Sequence, residues 1–81
     1  MYENLLSPNE FANISGISRQ TLIFYERKNV FKPILKNEKG FRFYSLEQLD
    51  VIVTIQGLQT IGLSLRAIQD YIENRNAELI Y

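Results

Sequence analysis

The sequence predicts a small, mostly α-helical domain with a winged helix-turn-helix fold, built from four helices and a two-stranded β-hairpin wing. Three observations lead to this prediction. Two helix-capping serines flank a glycine-containing turn early in the chain, two short extended runs surround a hydrophilic turn near residues 37–40, and apolar residues recur at helical spacing after residue 45. The length of 81 residues is enough for one such domain.

The predicted helix-turn-helix covers about residues 9–28. Ser7 can cap the first helix, and Glu10 completes a Ser-x-x-Glu capping box. Gly16 can adopt the left-handed conformation that ends a helix, and Ser18 can cap the second helix. The apolar stripe of the first helix consists of Phe11, Ala12 and Ile14.

The second helix, from Arg19 to about Lys28, is predicted to have two different faces. Thr21, Leu22 and Tyr25 turn toward one side. Asn29 can end the helix because asparagine tolerates a positive φ. The other side carries Gln20, Ile23, Phe24 and Arg27. The first turn, which in a recognition helix enters the major groove, holds residues that can bond bases or phosphates: Arg19, Gln20 and Thr21. Taken one at a time, each is better explained as an ordinary polar residue of an exposed helix start.

Charged residues are unevenly distributed, although the formal net charge is zero. Between Ser18 and Tyr44 there are seven lysines and arginines and two glutamates, a balance of +5, so the rest of the chain carries −5. A basic segment in a neutral domain is typical of a surface that binds a polyanion. The seven cations are Arg19, Arg27, Lys28, Lys32, Lys36, Lys39 and Arg42.

The chain contains no cysteine and no histidine. This composition excludes disulfides, thiolate metal sites, a cysteine nucleophile and a histidine base within it. It also lacks an apolar run of about 20 residues and the pattern of a signal peptide. We therefore expect a cytoplasmic protein that is not an enzyme, uses no metal or cofactor and does not bind a membrane.

The wing is predicted over about residues 30–44. Asn37 to Gly40 form a hydrophilic turn, and the run after it alternates between two sides. The side expected to face the core carries Phe41 and Phe43, and the opposite side carries Arg42 and Tyr44. For Tyr44, a core position is about as well supported as an exposed one.

Two further helices follow the wing. Ser45 and Gln48 form a second capping box, which is expected to open the longest helix. Gly57 lies inside that helix, where it indicates a bend or the close approach of another element. The buried stripe of the longest helix is predicted to be Leu46, Leu49, Ile52, Ile55, Leu58 and Ile61. The fourth helix is predicted from Ser64 to about Asn74, with a stripe of Leu65, Ile68 and Ile72.

The chain is expected to consist of a flexible lead-in at residues 1–4, a folded domain at 5–74 and the start of a linker or dimerisation segment at 75–81. The apolar end, Leu79-Ile80-Tyr81, favours a longer parent chain that has been cut here, or a segment that docks on a second copy.

Several short motifs follow one another in a specific order. They are Glu10-Phe11-Ala12, Ser15-Gly16-Ile17-Ser18, Thr21-Leu22-x-Phe24-Tyr25-Glu26, Lys32-Pro33, Gly40-Phe41-Arg42-x-Tyr44-Ser45, the single residue Leu49, and Ile61-Gly62-Leu63-Ser64-Leu65. Together they resemble the N-terminal DNA-binding domain of the MerR family of bacterial transcription regulators, over about Leu5 to Ile72. The resemblance implies sequence-specific binding of a homodimer to a pseudo-palindromic site in double-stranded promoter DNA. It also implies distortion of that DNA to control transcription by RNA polymerase.

The resemblance further implies which residues contact DNA. Tyr25 could donate its hydroxyl to a phosphate, and Arg42 could place its charge against the DNA backbone or in the minor groove. The predicted contact residues are Ser18, Arg19, Gln20, Thr21, Phe24, Tyr25, Arg27, Lys36, Lys39, Arg42 and Tyr44.

The second helix departs from the family pattern. Where the family usually reads Thr-Leu-Arg-Tyr-Tyr, this chain reads Thr21-Leu22-Ile23-Phe24-Tyr25, which loses one cation and one hydroxyl on the outward face. Fewer phosphate contacts predict weaker, less salt-sensitive binding. We expect Ile23 and Phe24 to contact thymine methyl groups or sugars instead.

Two other classes of protein are compatible with the sequence. A phage or transposon excisionase shares the small winged fold but bends DNA for recombination. A protein-interaction module is favoured if the apolar residues Ile23, Val51 and Val53 are exposed.

Overall fold

The computed structural model describes residues 4–78, so most of the predicted lead-in and the apolar end at 79–81 lie outside the described residues. Its helices are α1 (Pro8–Ser15), α2 (Arg19–Arg27), α3 (Gln48–Thr60) and α4 (Leu65–Glu78), and its strands are β1 (Leu35–Lys36) and β2 (Arg42–Phe43). The predicted fold, four helices and a two-stranded hairpin, is confirmed. Among the described helices, none combines the length and apolar character needed to cross a membrane.

Both predicted N-caps of the helix-turn-helix are present. The Ser7 hydroxyl accepts a hydrogen bond from the Glu10 amide at 3.2 Å, and the Glu10 carboxylate accepts one from the Ser7 amide at 2.8 Å. At the start of α2, the Ser18 hydroxyl accepts from the Thr21 amide at 3.1 Å. Gly16 follows α1 with a φ of 77°, a left-handed conformation that glycine adopts without steric penalty. These short-range bonds set the boundaries of both helices.

The chain reverses at the end of α2 through Asn29, which has the predicted positive φ, at 60°. The next amide, that of Val30, donates to the Tyr25 carbonyl at 2.9 Å. This turn directs Val30 and Phe31 into the core, where both are buried.

Three stacked aromatic rings join the wing to the helices. Between ring centroids, Tyr44 lies 4.5 Å from Phe11 of α1 and 6.0 Å from Phe31. Two backbone hydrogen bonds, of 2.7 and 2.8 Å, also join Tyr44 to Leu6, which precedes α1. The aliphatic part of the core consists of Ile17, Leu22, Val30, Ile52, Ile55 and Ile68.

The wing turns its aromatic side chains in the opposite sense to the prediction. Phe41 is 60% exposed and Phe43 is half-buried, whereas Tyr44 is buried. The expected core position is therefore wrong for Phe41. The stack with Phe11 and the bridge to Leu6 select Tyr44 as the ring that enters the core, and alternate residues of an extended segment point to opposite sides.

The start of α3 also differs from the prediction. Only half of the expected capping box forms: the Gln48 side chain accepts a hydrogen bond from the Ser45 amide at 3.1 Å. The helix begins at Gln48, after Glu47, whose side chain makes no capping bond. The Gln48 amide group also donates to the Lys32 carbonyl at 2.7 Å, so this side chain ties the helix start to the chain that leads into the wing.

The predicted apolar stripe of α3 is buried in the middle of the helix and exposed at its two ends. Ile52 and Ile55 are fully buried, but Leu46 and Ile61 are 45% and 73% exposed. Residues three apart fall about 60° short of a full helical turn at each step, so a series at this interval winds off the buried face. Ile14, three residues after the buried ring of α1, is likewise exposed.

The fourth helix is longer than predicted: it ends at Glu78, and the predicted end is near Asn74. Its side chains link it to the turn that follows α2 and to α3. The Gln69 amide donates to the Asn29 carbonyl at 2.9 Å, and Arg75 forms an ion pair of 2.9 Å with Asp50.

Gly57 offers a stability test. Among the described residues nothing lies within 4 Å of a Cβ built at this position, which removes the close approach of another element as its explanation. Gly57→Ala is expected to raise the free energy of unfolding by about 1 kcal/mol, because alanine loses less backbone entropy in a helix. Urea or thermal unfolding followed by circular dichroism measures this.

Gly62→Ala is the matched control. Gly62 has a φ of 100°, where a Cβ is strained, so this variant is expected to be less stable than the parent chain. A Gly57→Ala variant no more stable than the parent would contradict the prediction.

Candidate nucleic-acid interface

The face of α2 turned away from the core carries the predicted mixture of polar and apolar side chains. Leu22 is buried on the inner side, whereas Gln20, Phe24 and Arg27 are exposed. Together with Ile23 they line a shallow cavity of about 250 Å³. The predicted division of the helix into two faces is therefore observed.

Apolar surface and positive charge are adjacent on this face. Phe24 is exposed, and the Nζ atom of Lys28 lies 5.8 Å from the centre of its ring, within the range of a cation–π contact. A protein-interaction module would be favoured if Ile23, Val51 and Val53 were all exposed. Only Val53 of these three is exposed, because Val51 and Ile23 are partly buried.

The first turn of α2 divides into capping and exposed side chains. The Ser18 hydroxyl caps the helix and also donates a hydrogen bond to the Thr21 hydroxyl at 2.9 Å. Each of these two hydroxyl groups therefore fixes the orientation of the other. Arg19 and Gln20 are exposed, and within the described residues neither side chain makes an ion pair or a hydrogen bond. These two are the side chains best placed to reach a ligand.

A cleft of about 320 Å³ separates the wing from the starts of α1 and α2. It is lined by two arginines, Arg19 of α2 and Arg42 of β2. The remaining lining residues are Ser7, Pro8, Gly40, Phe41 and Phe43. Guanidinium groups bind phosphate oxygens with matched geometry, so the two arginines at this cleft have the chemistry to bind a phosphate.

Glu26, near the end of α2, accepts hydrogen bonds from two cations of the wing. Its Oε1 atom lies 2.7 Å from Arg42 Nε, and its Oε2 atom lies 3.1 Å from Lys36 Nζ. Burial acts to raise the pKa of Glu26, but the hydrogen bonds from Arg42 and Lys36 outweigh it and hold this pKa below its ordinary value. Glu26 is not among the predicted contact residues, because no local sequence pattern links it to partners on the hairpin.

The structure corrects two predicted contact residues. Tyr25 is 2% exposed, and its hydroxyl donates to the Gln59 side chain of α3 instead of being available to a phosphate. Tyr44 is 1% exposed, because its ring stacks on Phe11. Burial raises the pKa of both phenol groups. Both tyrosines pack beneath the surface rather than lining it.

The tip of the wing is held by Asn37. Its side-chain oxygen accepts hydrogen bonds from the Lys39 amide at 3.0 Å and from the Phe41 amide at 2.9 Å. This places Lys39 in an exposed turn next to the cleft-lining Gly40. No three acidic residues of the described chain come close enough together to hold a metal ion.

Comparison with known proteins identifies the family. The family model described as MerR HTH family regulatory protein matches residues 6–75. The chain belongs to the MerR family. Among the curated relatives of this MerR-family chain is the multidrug-efflux transporter 2 regulator of Bacillus subtilis, which is 30% identical over 71 residues. The match covers 88% of this chain and 26% of that protein.

Two solved structures share the fold. A MerR-family transcriptional regulator from Bacillus cereus has a TM-score of 0.74 and 32% identity, covering 84% of this chain and 51% of that one. HiNmlR, a MerR family regulator lacking the sensor domain and bound to promoter DNA, has a TM-score of 0.80 and 26% identity, covering 90% of this chain and 55% of that one. The winged helix-turn-helix is thus the DNA-binding domain of a MerR-family regulator, and these relatives agree with the prediction that the chain is not an enzyme.

The Glu26 ion pairs predict how stability depends on pH. The pKa of Glu26 is lower in the folded chain than its ordinary value, so the pairs stabilise the fold above that ordinary value and lose their effect as the pH falls through the folded pKa. Glu26→Gln should therefore unfold more easily than the parent chain at about pH 7 and match it at about pH 2. Urea unfolding at both pH values measures the difference.

Glu38→Gln serves as the control, because Glu38 is exposed at the wing tip and makes no ion pair within the described residues. Its stability should follow that of the parent chain at both pH values. If Glu26→Gln were equally destabilised at both, the ion pairs would not be the cause.

Proposed function

We propose that this MerR-family chain binds double-stranded DNA at a promoter and regulates transcription in the cytoplasm. The first turn of α2 enters the major groove, and the wing lies along the neighbouring sugar-phosphate backbone. The observation that supports this most directly is the convergence of Arg19 and Arg42 on one cleft. The fold around that cleft is shared with HiNmlR, a regulator bound to promoter DNA.

The proposed contacts fall into two classes. Gln20 and Arg19 read bases, since an amide can pair with adenine and a guanidinium with guanine. The other cations bind phosphates, which fixes the register of the protein without reading sequence. These phosphate-binding residues are Arg27, Lys36, Lys39 and Arg42, with Ser18 and Thr21 holding the first turn in shape.

We further propose that two copies act together as a homodimer on a pseudo-palindromic site. A single small module buries only about 600–1,000 Å² on DNA, which limits affinity and the number of bases read. A second recognition helix in the next major groove doubles that number. Distortion of the promoter by the bound pair would then change its use by RNA polymerase.

The apolar part of α2 is proposed to contribute specificity. Ile23 and Phe24 lie between Gln20 and Arg27 in the same shallow cavity. A thymine methyl group is the apolar feature that the major groove offers such a surface. The cavity therefore favours a thymine next to the base read by Gln20.

Selection of bound duplexes from a random pool, followed by gel-shift titration, tests the proposed function. We expect an enriched inverted-repeat sequence that binds at least about a hundredfold more tightly than a scrambled duplex. Transcription from a promoter that carries this sequence should change when the chain is added. Failure to retain any duplex at about 50 mM salt would overturn the proposal.

The proposed phosphate contacts can be counted from the dependence of affinity on salt. Arg42→Gln and Lys39→Gln are each expected to make the slope of log K against log salt shallower by about 0.9, because each variant removes one phosphate contact and therefore the release of one counterion. Fluorescence anisotropy titrations over a range of salt concentrations measure the slope. The control is Arg66→Gln, which removes an exposed cation of α4 and should leave the slope unchanged. An equal effect of all three variants would mean that only net charge matters.

The proposed role of Ile23 predicts a change in the opposite direction. Ile23→Arg should steepen the salt slope by about 0.9, because it restores a cation on the face that meets DNA. The same titrations measure this. An unchanged slope would mean that residue 23 does not face DNA.

A second measurement isolates the methyl group. Replacing the thymines of the selected duplex by uracil, one at a time, removes only a methyl group from the major groove. We expect one or two positions per half-site to lose affinity in the parent chain and to lose none in Ile23→Ala.

A further inference from the structure

Glu26 is an acidic residue of α2 that contacts two cations of the wing, Lys36 and Arg42. We propose that it is a positioning residue for DNA binding: its carboxylate orients the Arg42 guanidinium toward a phosphate and holds Lys36 beside it. This inference rests on the proposed DNA-binding function and adds to it a residue whose charge is opposite to that of the other contacts.

The register of the hairpin explains why a carboxylate is needed there. Lys36 of β1 is directly paired with Arg42 of β2. Like charges directly opposite each other destabilise a two-stranded ribbon, and each strand has only two residues. Glu26 bonds to both cations through different oxygen atoms, so one group on α2 offsets the repulsion between the two strands.

The geometry of the Arg42 contact leaves the guanidinium able to bind a second anion. Arg42 donates to Glu26 through Nε alone, at 2.7 Å. The two Nη groups carry the other four N–H donors of the side chain, and among the described residues none of them makes a hydrogen bond. They are part of a side chain that lines the cleft shared with Arg19 and remains one-third exposed.

Glu26 is mostly buried and lies next to a well-packed residue, which suits a positioning role. It follows Tyr25, which is buried and bonded to Gln59 of α3, and its own side chain is only 18% exposed. Arginine has a flexible side chain whose immobilisation opposes binding. Because Glu26 orders Arg42 in the free protein, the conformational entropy of this side chain is already lost before DNA binds, and binding does not have to remove it.

Positioning and simple electrostatics predict effects of opposite sign. A carboxylate on a DNA-facing surface repels phosphates, so its removal alone would tighten binding. If Glu26 orients Arg42, Glu26→Ala should instead weaken binding to the selected duplex by about threefold to tenfold, the range expected for ordering one long side chain. The salt slope should also fall toward that of Arg42→Gln, because the phosphate contact is no longer formed in full.

The matched control is Glu38→Ala, which removes the same charge from the wing tip, where Glu38 makes no ion pair within the described residues. It should bind as tightly as the parent chain or more tightly. Glu26→Gln keeps an oxygen that can accept from Arg42 Nε, so its affinity should lie between those of Glu26→Ala and the parent chain. Circular dichroism and thermal unfolding at neutral pH establish that each variant is folded, and Glu26→Gln serves in place of Glu26→Ala if the latter is not.

A double-mutant cycle with Arg42→Gln completes the test. We expect Glu26→Ala to cause no further loss of affinity once Arg42 is replaced. Additive losses, or a Glu26→Ala variant that binds as tightly as Glu38→Ala, would overturn the positioning role while leaving the proposed function intact. If the parent chain itself bound no DNA, the proposed function would fail first, and the two failures are therefore distinguishable.

Discussion

The position of the wing depends on one packing interaction, the stack of Tyr44 on Phe11 and Phe31. A two-stranded hairpin with two residues in each strand is not stable alone in water. The stack supplies what the hairpin lacks, because it buries the residue next to β2 against α1, and the backbone bridge to Leu6 adds two hydrogen bonds at the same point. The stack and the bridge hold the hairpin beside α2, where Glu26 contacts Lys36 and Arg42.

The electrostatics of the domain are local. The net charge of the chain is zero, yet charges beyond about 8–10 Å are largely screened at physiological salt, so a DNA phosphate responds mainly to the groups beside it. The charged residues that line the cleft are arginines, and four of the nine carboxylates of the chain lie on α3 and α4. Glu26 differs from the other described carboxylates in that it contacts two cations of the wing, at 3.1 and 2.7 Å, so its charge offsets the repulsion between Lys36 and Arg42.

Features set by neighbouring residues could be predicted from the sequence, and features set by distant ones could not. Ser7, Ser18 and Gly16 bond within a few residues of themselves, so their roles were evident from spacing alone. The orientation of Phe41 and Tyr44 depends on where α1 lies, and the exposed ends of the α3 stripe depend on how far its neighbours extend. For the candidate site the same division applies: the outward face of α2 was predicted, but the bond from Tyr25 to Gln59 joins residues far apart in the chain.

The apolar substitution on α2 changes the balance between affinity and specificity. Phosphate contacts strengthen binding to every sequence equally, whereas contacts to base edges distinguish one sequence from another. The family resemblance leads one to expect a cation and a hydroxyl at positions 23 and 24, but this chain carries Ile23 and Phe24. It therefore loses some phosphate contacts and keeps the contacts to base edges. The DNA affinity of such a domain depends more strongly on the geometry of each remaining phosphate contact than the affinity of a fully basic domain does. That dependence gives a physical reason for fixing Arg42 in advance of binding, with a carboxylate on the recognition helix itself.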